Sequence, residues 1–233
     1  MKKISRNVLK YIAILAMLMD HLTVFLPSNS PLYFIMRFLG RLTAPIMCFF
    51  IAEGFYYTHS TYKYGLRLGI FALISQLAYT FFNEGTLFTY RLLTSWNVIF
   101  TLLIGFCALL AYEKIRYKPL KWIVIGLLCI VSFVGDWRFV APLWILFFYI
   151  FRESKKNIVV FSVLAALEVL SCIPNIINDG QLWQIGVFFV VPLLLLYNGK
   201  KGSNNPVHKW AFYLFYPLHL FVLGIIKCFI LVT

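Results

Sequence analysis

Apolar runs long enough to enter a lipid bilayer follow one another along nearly the whole of this 233-residue chain. The mean hydropathy is +0.85, and 62% of the residues are hydrophobic while only 12% are charged, which lies outside the range of soluble domains. A helix needs roughly 20 apolar residues to cross a hydrocarbon core of about 30 Å. Short polar breaks separate about nine such runs, at residues 8–26, 33–56, 66–82, 97–112, 120–135, 138–151, 157–173, 181–197 and 209–231.

The composition of these runs predicts α-helices. A transmembrane barrel would show short strands in which apolar and polar residues alternate, whereas these runs are continuous and rich in Leu, Ile and Phe. The polar breaks between the runs are too short to form a soluble domain. We therefore expect an all-α, polytopic membrane protein with about nine transmembrane helices, in which residues 1–233 form a single transmembrane domain.

The formal net charge of +13 raises the question of a nucleic-acid partner. Most Lys and Arg residues lie in the N-terminal segment and in alternate polar breaks, near residues 63–67, 114–121, 152–156 and 200–209. This bias follows the positive-inside rule and predicts a multi-pass protein of the cytoplasmic membrane, with the N-terminus inside and the C-terminus outside. The charge is thus explained by orientation among membrane lipids, and no nucleic-acid partner is expected.

Cysteine and histidine residues do not form recognisable metal-binding patterns. The five cysteines lie in apolar runs without C-x-x-C spacing, and the four histidines are scattered along the chain. Such cysteines behave as small apolar residues. We expect neither a disulfide nor a bound metal.

Ionisable residues inside the apolar runs are the main functional signal. Asp20 and His21 are adjacent in the first run, and Arg37 and Arg41 lie one helical turn apart in the second. A charge at this depth is costly unless it is paired or hydrated. We expect Asp20 to neutralise one arginine, the other arginine to remain available for an anion or oxyanion, and His21 to face a cavity as a general base. The alternative is a purely structural ion pair between the first two helices.

Other polar residues extend this candidate site. Tyr216 and His219 flank Pro217 in the last run, where proline commonly bends a helix. Gln76 either lines the same cavity or bonds a neighbouring helix, and Asn97 is either a contact to the substrate or a helix cap.

Six stretches, in chain order, carry a family resemblance: MDH at 19–21, RFLGRLTAPIMCFFIAEGFYYT at 37–58, YGLRLGIFALISQ at 64–76, NVIFTLLIG at 97–105, LLLLYNGKKG at 193–202 and FYLFYPLHL at 212–220. By these stretches the chain resembles, over nearly its full length, the TraX family, membrane proteins similar to the F-pilin acetylase. It is more distantly similar to the transmembrane acyltransferases that include the acyltransferase-3 type, which carry a histidine near the outer end of an early helix.

The resemblance implies an acetyl-CoA-dependent O- or N-acetyltransferase. His21 would act as the general base or carry the acetyl group transiently, with Asp20, Arg37, Arg41 and His219 beside it. Acetyl-CoA would enter from the cytoplasm and meet Lys63, Arg67, Tyr197, Asn198, Lys200 and Lys201, while the acceptor would meet Gln76, Asn97 and Tyr216. The acceptor would be a pilin subunit, a polysaccharide or a lipid.

The YNGKKG element also has a purely structural interpretation. It could end the eighth helix, with Asn198 and Gly199 in left-handed conformations and the lysines extending to the membrane surface.

Two other classes of protein compete with the enzyme. An ion- or proton-coupled transporter would also bury Asp, His and Arg, but it often shows internal repetition, which is missing here. A non-catalytic factor for conjugation or pilus assembly would not need ionisable residues at membrane depth.

Overall fold

The protein is described here from a computed structural model, which covers residues 3–154, 156–179, 182–200, 202–203, 205 and 207–232. Within these residues the chain is helical and forms no β-strand beyond two isolated bridges. Three 3₁₀ segments cover Thr23–Phe25, Ser132–Val134 and Leu182–Phe189. The α-helices are α1 Arg6–Leu22, α2 Pro31–Gly40, α3 Thr43–Tyr57, α4 Thr61–Glu84, α5 Arg91–Thr94, α6 Val98–Lys114, α7 Lys118–Val131, α8 Val140–Ile150, α9 Lys156–Ser171, α10 Ile173–Asp179, α11 Val190–Leu196 and α12 Val207–Val232.

Local sequence signals explain where several helices begin and end. The side chain of Ser30 accepts a hydrogen bond from the Tyr33 amide at the start of α2, and the side chain of Ser60 does the same for the Lys63 amide at the start of α4. These contacts satisfy amides that have no partner in the first helical turn. Helix α4 ends at Gly85, whose φ of 73° suits a residue without a Cβ.

Four helical segments among the described residues are long and apolar enough to cross a membrane: Arg6–Phe25, Pro31–Tyr57, Thr61–Glu84 and Trp210–Ile230. The helical class is confirmed, and these four segments fit a membrane protein. The 3₁₀ segment Leu182–Phe189 and α11 together form a shorter apolar stretch at Leu182–Leu196, and α8 forms another. The expected total of about nine spans and the orientation of the two termini stay predictions.

The second predicted run does not form one continuous helix. It is divided into α2 and α3 by a turn at Arg41 and Leu42. Pro45, four residues after Arg41, has no amide hydrogen to donate to the Arg41 carbonyl, and its ring would crowd that carbonyl in a regular helix. The proline is tolerated because it lies in the first turn of α3.

The chain divides into two compact units. The first unit comprises Met1–Met47 and Ile158–His219. In it, α1 packs against α2, and α2 packs against the 3₁₀ segment Leu182–Phe189. Gly186 permits this second contact, because a Cβ at that position would collide with the backbone of Phe38.

The second unit comprises Cys48–Asn157 and Leu220–Thr233. Its centre is α6, which packs against α4, α7 and α8 around buried residues such as Phe106 and Ile145. At the end of α4, the Lys227 ammonium group donates to the carbonyl oxygens of Phe82 and Asn83, at 3.0 and 3.1 Å. A cation suits the negative end of a helix dipole, so this lysine has a structural role.

Candidate functional site

A compact charged cluster joins α1 to α2 in the first unit. Asp20 Oδ1 accepts a hydrogen bond from Arg41 Nη2 at 2.9 Å and another from Arg37 Nη1 at 3.2 Å. The expectation that Asp20 would pair with only one of the two arginines is therefore wrong. Both arginines project from the same side of α2, so one carboxylate oxygen reaches both. The three side chains together carry a formal charge of +1.

Gly40 permits this cluster to form. A Cβ at Gly40 would lie 2.5 Å from both Cβ and Oδ1 of Asp20, so any larger residue would push α1 away from α2. The sequence reasoning did not include Gly40 among the site residues. Its position in the GR-x-x-x-P element is the signal that could have identified it. Gly40 leaves room for the Asp20 side chain, and Pro45 causes the turn at Arg41 that follows α2.

Arg37 differs from Arg41 in its surroundings. Its side chain is 32% exposed, against 15% for Arg41. Its Nε donates to the Tyr33 hydroxyl at 3.3 Å, and its guanidinium carbon lies 5.5 Å from the centre of the Tyr33 ring. Tyr33 was absent from the predicted site, although its position one turn before Arg37 could have suggested the contact.

Two histidines from opposite ends of the chain meet in the same unit. His219 Nε2 lies 3.0 Å from His21 Nδ1, and the ring centres are 4.9 Å apart. His219 Nδ1 lies 2.7 Å from the carbonyl oxygen of Phe215, one turn earlier in α12. The sequence predicted both histidines as site residues, and the structure brings them together.

The Phe215 carbonyl fixes the hydrogen position on His219, while the His21 ring also bonds the Met17 backbone. Since the oxygen of Phe215 can only accept, His219 Nδ1 must donate to it. In a neutral His219 the other nitrogen, Nε2, is then an acceptor, and His21 Nδ1 donates to it. A neutral His21 in this tautomer has its basic lone pair on Nε2. The pair can therefore hold one imidazole oriented as a proton acceptor.

Aromatic rings from α12 surround the histidine pair. The ring of Phe215 stacks on His219 with centres 4.6 Å apart, and Tyr216 packs edge-on against it at 5.7 Å. Tyr216 is 1% exposed, and its ring centre lies 6.5 Å from that of His21. His219 is thus held in one orientation, as a positioning role requires. A contact from Tyr216 to an acceptor stays a prediction.

The YNGKKG element forms a loop paired with the N-terminal segment of the chain. The Asn198 amide donates to the Ile4 carbonyl at 2.9 Å, and the Arg6 amide donates to the Lys200 carbonyl at 2.9 Å. Further along, the Asn7 side chain donates to the Ser203 carbonyl at 2.9 Å. The loop therefore holds the exposed Lys200 beside the start of α1.

The helix-cap interpretation of this element is correct only in part. Gly199 is left-handed, with φ of 73°, but Asn198 is not, and α11 ends in the extended residue Tyr197. The Asn198 side chain instead accepts a hydrogen bond from the Lys200 amide at 2.8 Å. Lys201 lies outside the described residues.

The other two predicted donor contacts lie in the second unit, near the start of α4. Lys63 is exposed, and the Arg67 guanidinium lies 5.6 Å from the centre of the Tyr64 ring. Their contact with acetyl-CoA stays a prediction.

Gln76 and Asn97 form a closed amide network in the second unit. Asn97 Nδ2 donates to Gln76 Oε1 and to the Ala72 carbonyl, both at 2.8 Å, while its Oδ1 accepts from the amides of Ile99 and Phe100. Asn97 therefore caps α6.

Gln76 is equally occupied. Its Nε2 donates to the carbonyls of Leu92 and Ser95, at 3.1 and 2.8 Å, and its Oε1 also accepts from the Asn97 amide. Both residues are buried, so a bond to an acceptor would replace a bond within the protein. Their role as substrate contacts stays a prediction.

The fold and the site define a helical membrane protein in which a histidine pair and an Arg–Asp–Arg cluster come together within one compact unit. The chain belongs to the TraX family, because the family model described as TraX protein matches residues 5–227. It is 33% identical to the probable fimbrial assembly protein FimC, serogroup H1, of Dichelobacter nodosus, over 97% of this chain and 99% of that protein.

A second relative matches only part of the chain. The uncharacterized protein RP591 of Rickettsia prowazekii (strain Madrid E) is 32% identical over 44% of this chain and 35% of its own length. No solved structure matches the chain.

Proposed function

We propose that this protein is a membrane-embedded acyltransferase that moves an acetyl group from cytoplasmic acetyl-CoA to an amine or hydroxyl acceptor at the outer side of the membrane. The acceptor is a pilin-like N-terminus, a cell-surface glycan or a lipid. Membership of the TraX family supports the class of protein. The observation that carries the chemistry is the hydrogen bond between His21 and His219.

The histidine pair supports general-base catalysis. The Phe215 carbonyl orients His219, and His219 in turn accepts from His21 Nδ1, which leaves His21 Nε2 as the basic nitrogen. A base, its orienting partner and a fixed third group form the usual arrangement of acid–base sites. In this arrangement a neutral His21 is the group that takes up the proton.

The proposed transfer is a single displacement. His21 Nε2 takes a proton from the acceptor amine or hydroxyl while the acceptor nitrogen or oxygen attacks the thioester carbonyl. A C–N or C–O bond forms, the C–S bond breaks, and the proton passes from His21 to the departing thiolate of CoA. No metal ion, oxidant or reductant enters this balance.

The charged cluster supports the same step electrostatically. Asp20, next to His21 in α1, bonds Arg37 of α2 and Arg41, which follows α2, and the three side chains together carry a formal charge of +1. Such a charge in a partly desolvated site favours the negative charge that develops on the thioester oxygen.

The donor phosphates are proposed to bind the cations predicted for the cytoplasmic side. Lys200 is held in a defined loop, which supports its role better than a flexible lysine would. Lys63, Arg67, Tyr197, Asn198 and Lys201 complete the proposed donor contacts. A Lys200→Gln variant should raise the apparent KM for acetyl-CoA and leave turnover at saturation unchanged.

The test is transfer of labelled acetyl from acetyl-CoA by the full-length protein in membranes of the expressing strain. The His21→Ala variant should lose about a thousandfold in rate, since a positioned base contributes about 10²–10⁴-fold. The matched control is His208→Ala, because His208 lies in the same unit and bonds the Tyr11 hydroxyl at 2.7 Å in an exposed position. Equal transfer by wild type and a well-folded His21→Ala protein would exclude His21 as the base.

The name of one relative favours a second candidate function. The Dichelobacter nodosus protein is described as a probable fimbrial assembly protein, which suggests a non-catalytic factor for pilus or conjugation assembly. Complementation separates the two. If a deletion strain regains its surface appendages with His21→Ala as well as with wild type, the assembly role does not depend on acyl transfer.

A further inference from the structure

Arg37 presents hydrogen-bond donors that the protein itself does not use. Its Nε bonds Tyr33 and its Nη1 bonds Asp20, whereas Nη2 has no partner within the described part of the chain. A guanidinium that is one-third exposed and fixed on two sides offers its remaining edge in a constant direction. The group that matches such an edge is a phosphate or a carboxylate.

The charge balance also favours an anion. Asp20 is shared by two arginines through a single oxygen, so one carboxylate compensates two guanidiniums. Arg91 in the second unit provides the contrast, because it pairs one to one with Glu84 at 3.0 Å. Arg37 therefore shares its carboxylate with a second cation, and a bound anion would give it a counter-charge of its own.

The surroundings of Arg37 are aromatic and apolar. The Tyr33 ring under Arg37 packs edge-on against Trp183 of the 3₁₀ segment, with centres 5.5 Å apart. Ile35 on α2 and Phe189 at the end of the 3₁₀ segment are both more than half exposed. Tyr and Trp beside exposed apolar side chains are typical of the boundary between lipid headgroups and acyl chains. A free anion would gain nothing from this apolar surface, whereas the tail of an amphiphile would.

We propose that Arg37, with Tyr33 and Trp183, binds the phosphate of a membrane amphiphile, and that the acyl acceptor is a lipid or lipid-linked molecule bearing this phosphate beside its amine or hydroxyl. Only the identification of this molecule as the acyl acceptor rests on the proposed function. The phosphate-binding site at Arg37 does not depend on it.

The experiment measures binding without turnover. The full-length protein in an uncharged detergent is titrated with dodecyl phosphate, and the unfolding temperature is followed, because a ligand of the folded state raises it in a saturable way. Inorganic phosphate is titrated in parallel as the soluble source of the same group. We expect dodecyl phosphate to bind at least about tenfold more tightly than inorganic phosphate.

The matched variants are Arg37→Gln and Arg41→Gln. Each removes one positive charge and leaves Asp20 one arginine, so both keep a balanced pair. Arg37→Gln should weaken dodecyl phosphate about tenfold or more, while Arg41→Gln should change it less than about threefold. Arg37→Lys, which keeps the charge but not the planar fork, covers the case in which the glutamine variant does not fold, and it should also bind more weakly than wild type.

Four results would overturn the proposal. The first is an unchanged affinity for dodecyl phosphate in both Arg37→Gln and Arg37→Lys, and the second is an equal loss of that affinity in Arg37→Gln and Arg41→Gln. The third is equal affinity of the wild type for inorganic phosphate and dodecyl phosphate. The fourth is displacement of dodecyl phosphate by CoA, which would place the anion site on the donor side. Acetyl transfer is scored separately. Binding of dodecyl phosphate with no transfer to any acceptor contradicts the proposed function alone, and transfer to uncharged acceptors without such binding contradicts this inference alone.

Discussion

The two units each bury a polar cluster, and the clusters are built on opposite principles. In the second unit, Gln76 and Asn97 are neutral, and each amide nitrogen and oxygen has partners within the protein. In the first unit, one carboxylate oxygen serves two guanidiniums, and two imidazoles share a hydrogen bond. The amide network has no remaining hydrogen-bonding capacity, whereas in the charged cluster Arg37 Nη2 has no partner among the described residues.

Under the proposed function, this difference separates polar residues that hold helices together from polar residues that would take part in the chemistry. A fully satisfied neutral network stabilises a helix contact and leaves nothing for a substrate. Charges and imidazoles at similar burial cost more, so ionisable residues in a membrane segment are the first candidates for a functional site. Substitutions in the two clusters should therefore affect different quantities.

The largest effect is expected for Asp20→Asn. It removes the carboxylate that the two guanidiniums share in a partly buried site, which should lower the free energy of unfolding by about 3 kcal/mol or more and abolish transfer. Thermal unfolding in detergent measures the first quantity, and the acetyl-transfer assay measures the second.

The control for this variant is the neutral triple variant that combines Asp20→Asn with Arg37→Gln and Arg41→Gln. Because no charge remains to compensate, it should regain most of the lost stability but none of the transfer. If the triple variant is as unstable as Asp20→Asn, charge imbalance is not the cause.

A second effect is expected for Asn97→Ala in the amide network. The change leaves Gln76 Oε1, the Ala72 carbonyl and the first amides of α6 without their side-chain partner, so stability should fall by about 2 kcal/mol. Transfer per folded molecule should stay near the wild-type value. Asn83→Ala is the matched control, because the exposed Asn83 side chain donates only to the Tyr79 carbonyl, and it should change stability by less than about 0.5 kcal/mol. A loss of turnover without a loss of stability in Asn97→Ala would show that Asn97 contacts a substrate after all.

A third prediction concerns the positioning role of His219. Replacement by Phe removes the acceptor for His21 Nδ1 and should lower turnover about tenfold to a hundredfold, while the KM for acetyl-CoA stays the same. His219→Gln retains an acceptor oxygen and should recover part of the loss. The pH profile of transfer distinguishes this role from simple packing, since it should change in the Phe variant and return towards wild type with Gln. Identical profiles in all three proteins would argue that His219 only fills space.

The smallest effect is expected for Lys200→Gln. An exposed lysine that contacts a donor phosphate contributes little in salt, so the KM for acetyl-CoA should rise about threefold to tenfold. The matched change is Lys118→Gln, an exposed lysine at the start of α7 that no proposal includes. If neither variant alters the KM, the structural interpretation of the 197–203 loop is sufficient.

Sequence reasoning recovered the helical class and the residues of the charged cluster, because charges in apolar runs stand out without a structure. It did not show that Arg37 and Arg41 share one carboxylate oxygen of Asp20. The i, i+4 spacing of Arg37 and Arg41 predicts one face, but only the separation of α1 and α2 shows that one oxygen reaches both guanidiniums. That separation depends on Gly40, because a Cβ at this position would collide with Asp20.

The helix boundaries show a second limit of the same kind. Hydropathy predicts one continuous run from residue 33 to residue 56, since neither Arg41 nor Pro45 breaks it by composition. The turn at Arg41 follows from the missing amide of Pro45, which a window average does not register. The partners of Gln76 and Asn97 were likewise out of reach, because the Ala72 and Ser95 carbonyls are backbone groups that every sequence contains.

The separation in sequence of the paired residues gives the site an order of assembly. Asp20 meets its arginines across 17 and 21 residues, so the ribosome delivers these partners within moments of one another. The partner of His21 is synthesised 198 residues later, and the residues at 196–200 that pair with the segment around Ile4 are also synthesised late. Residues 48–157, which make up most of the second unit, are synthesised before either of these late partners. A newly synthesised chain can therefore form its charged cluster before its histidine pair, and a product truncated before His219 would lack that pair.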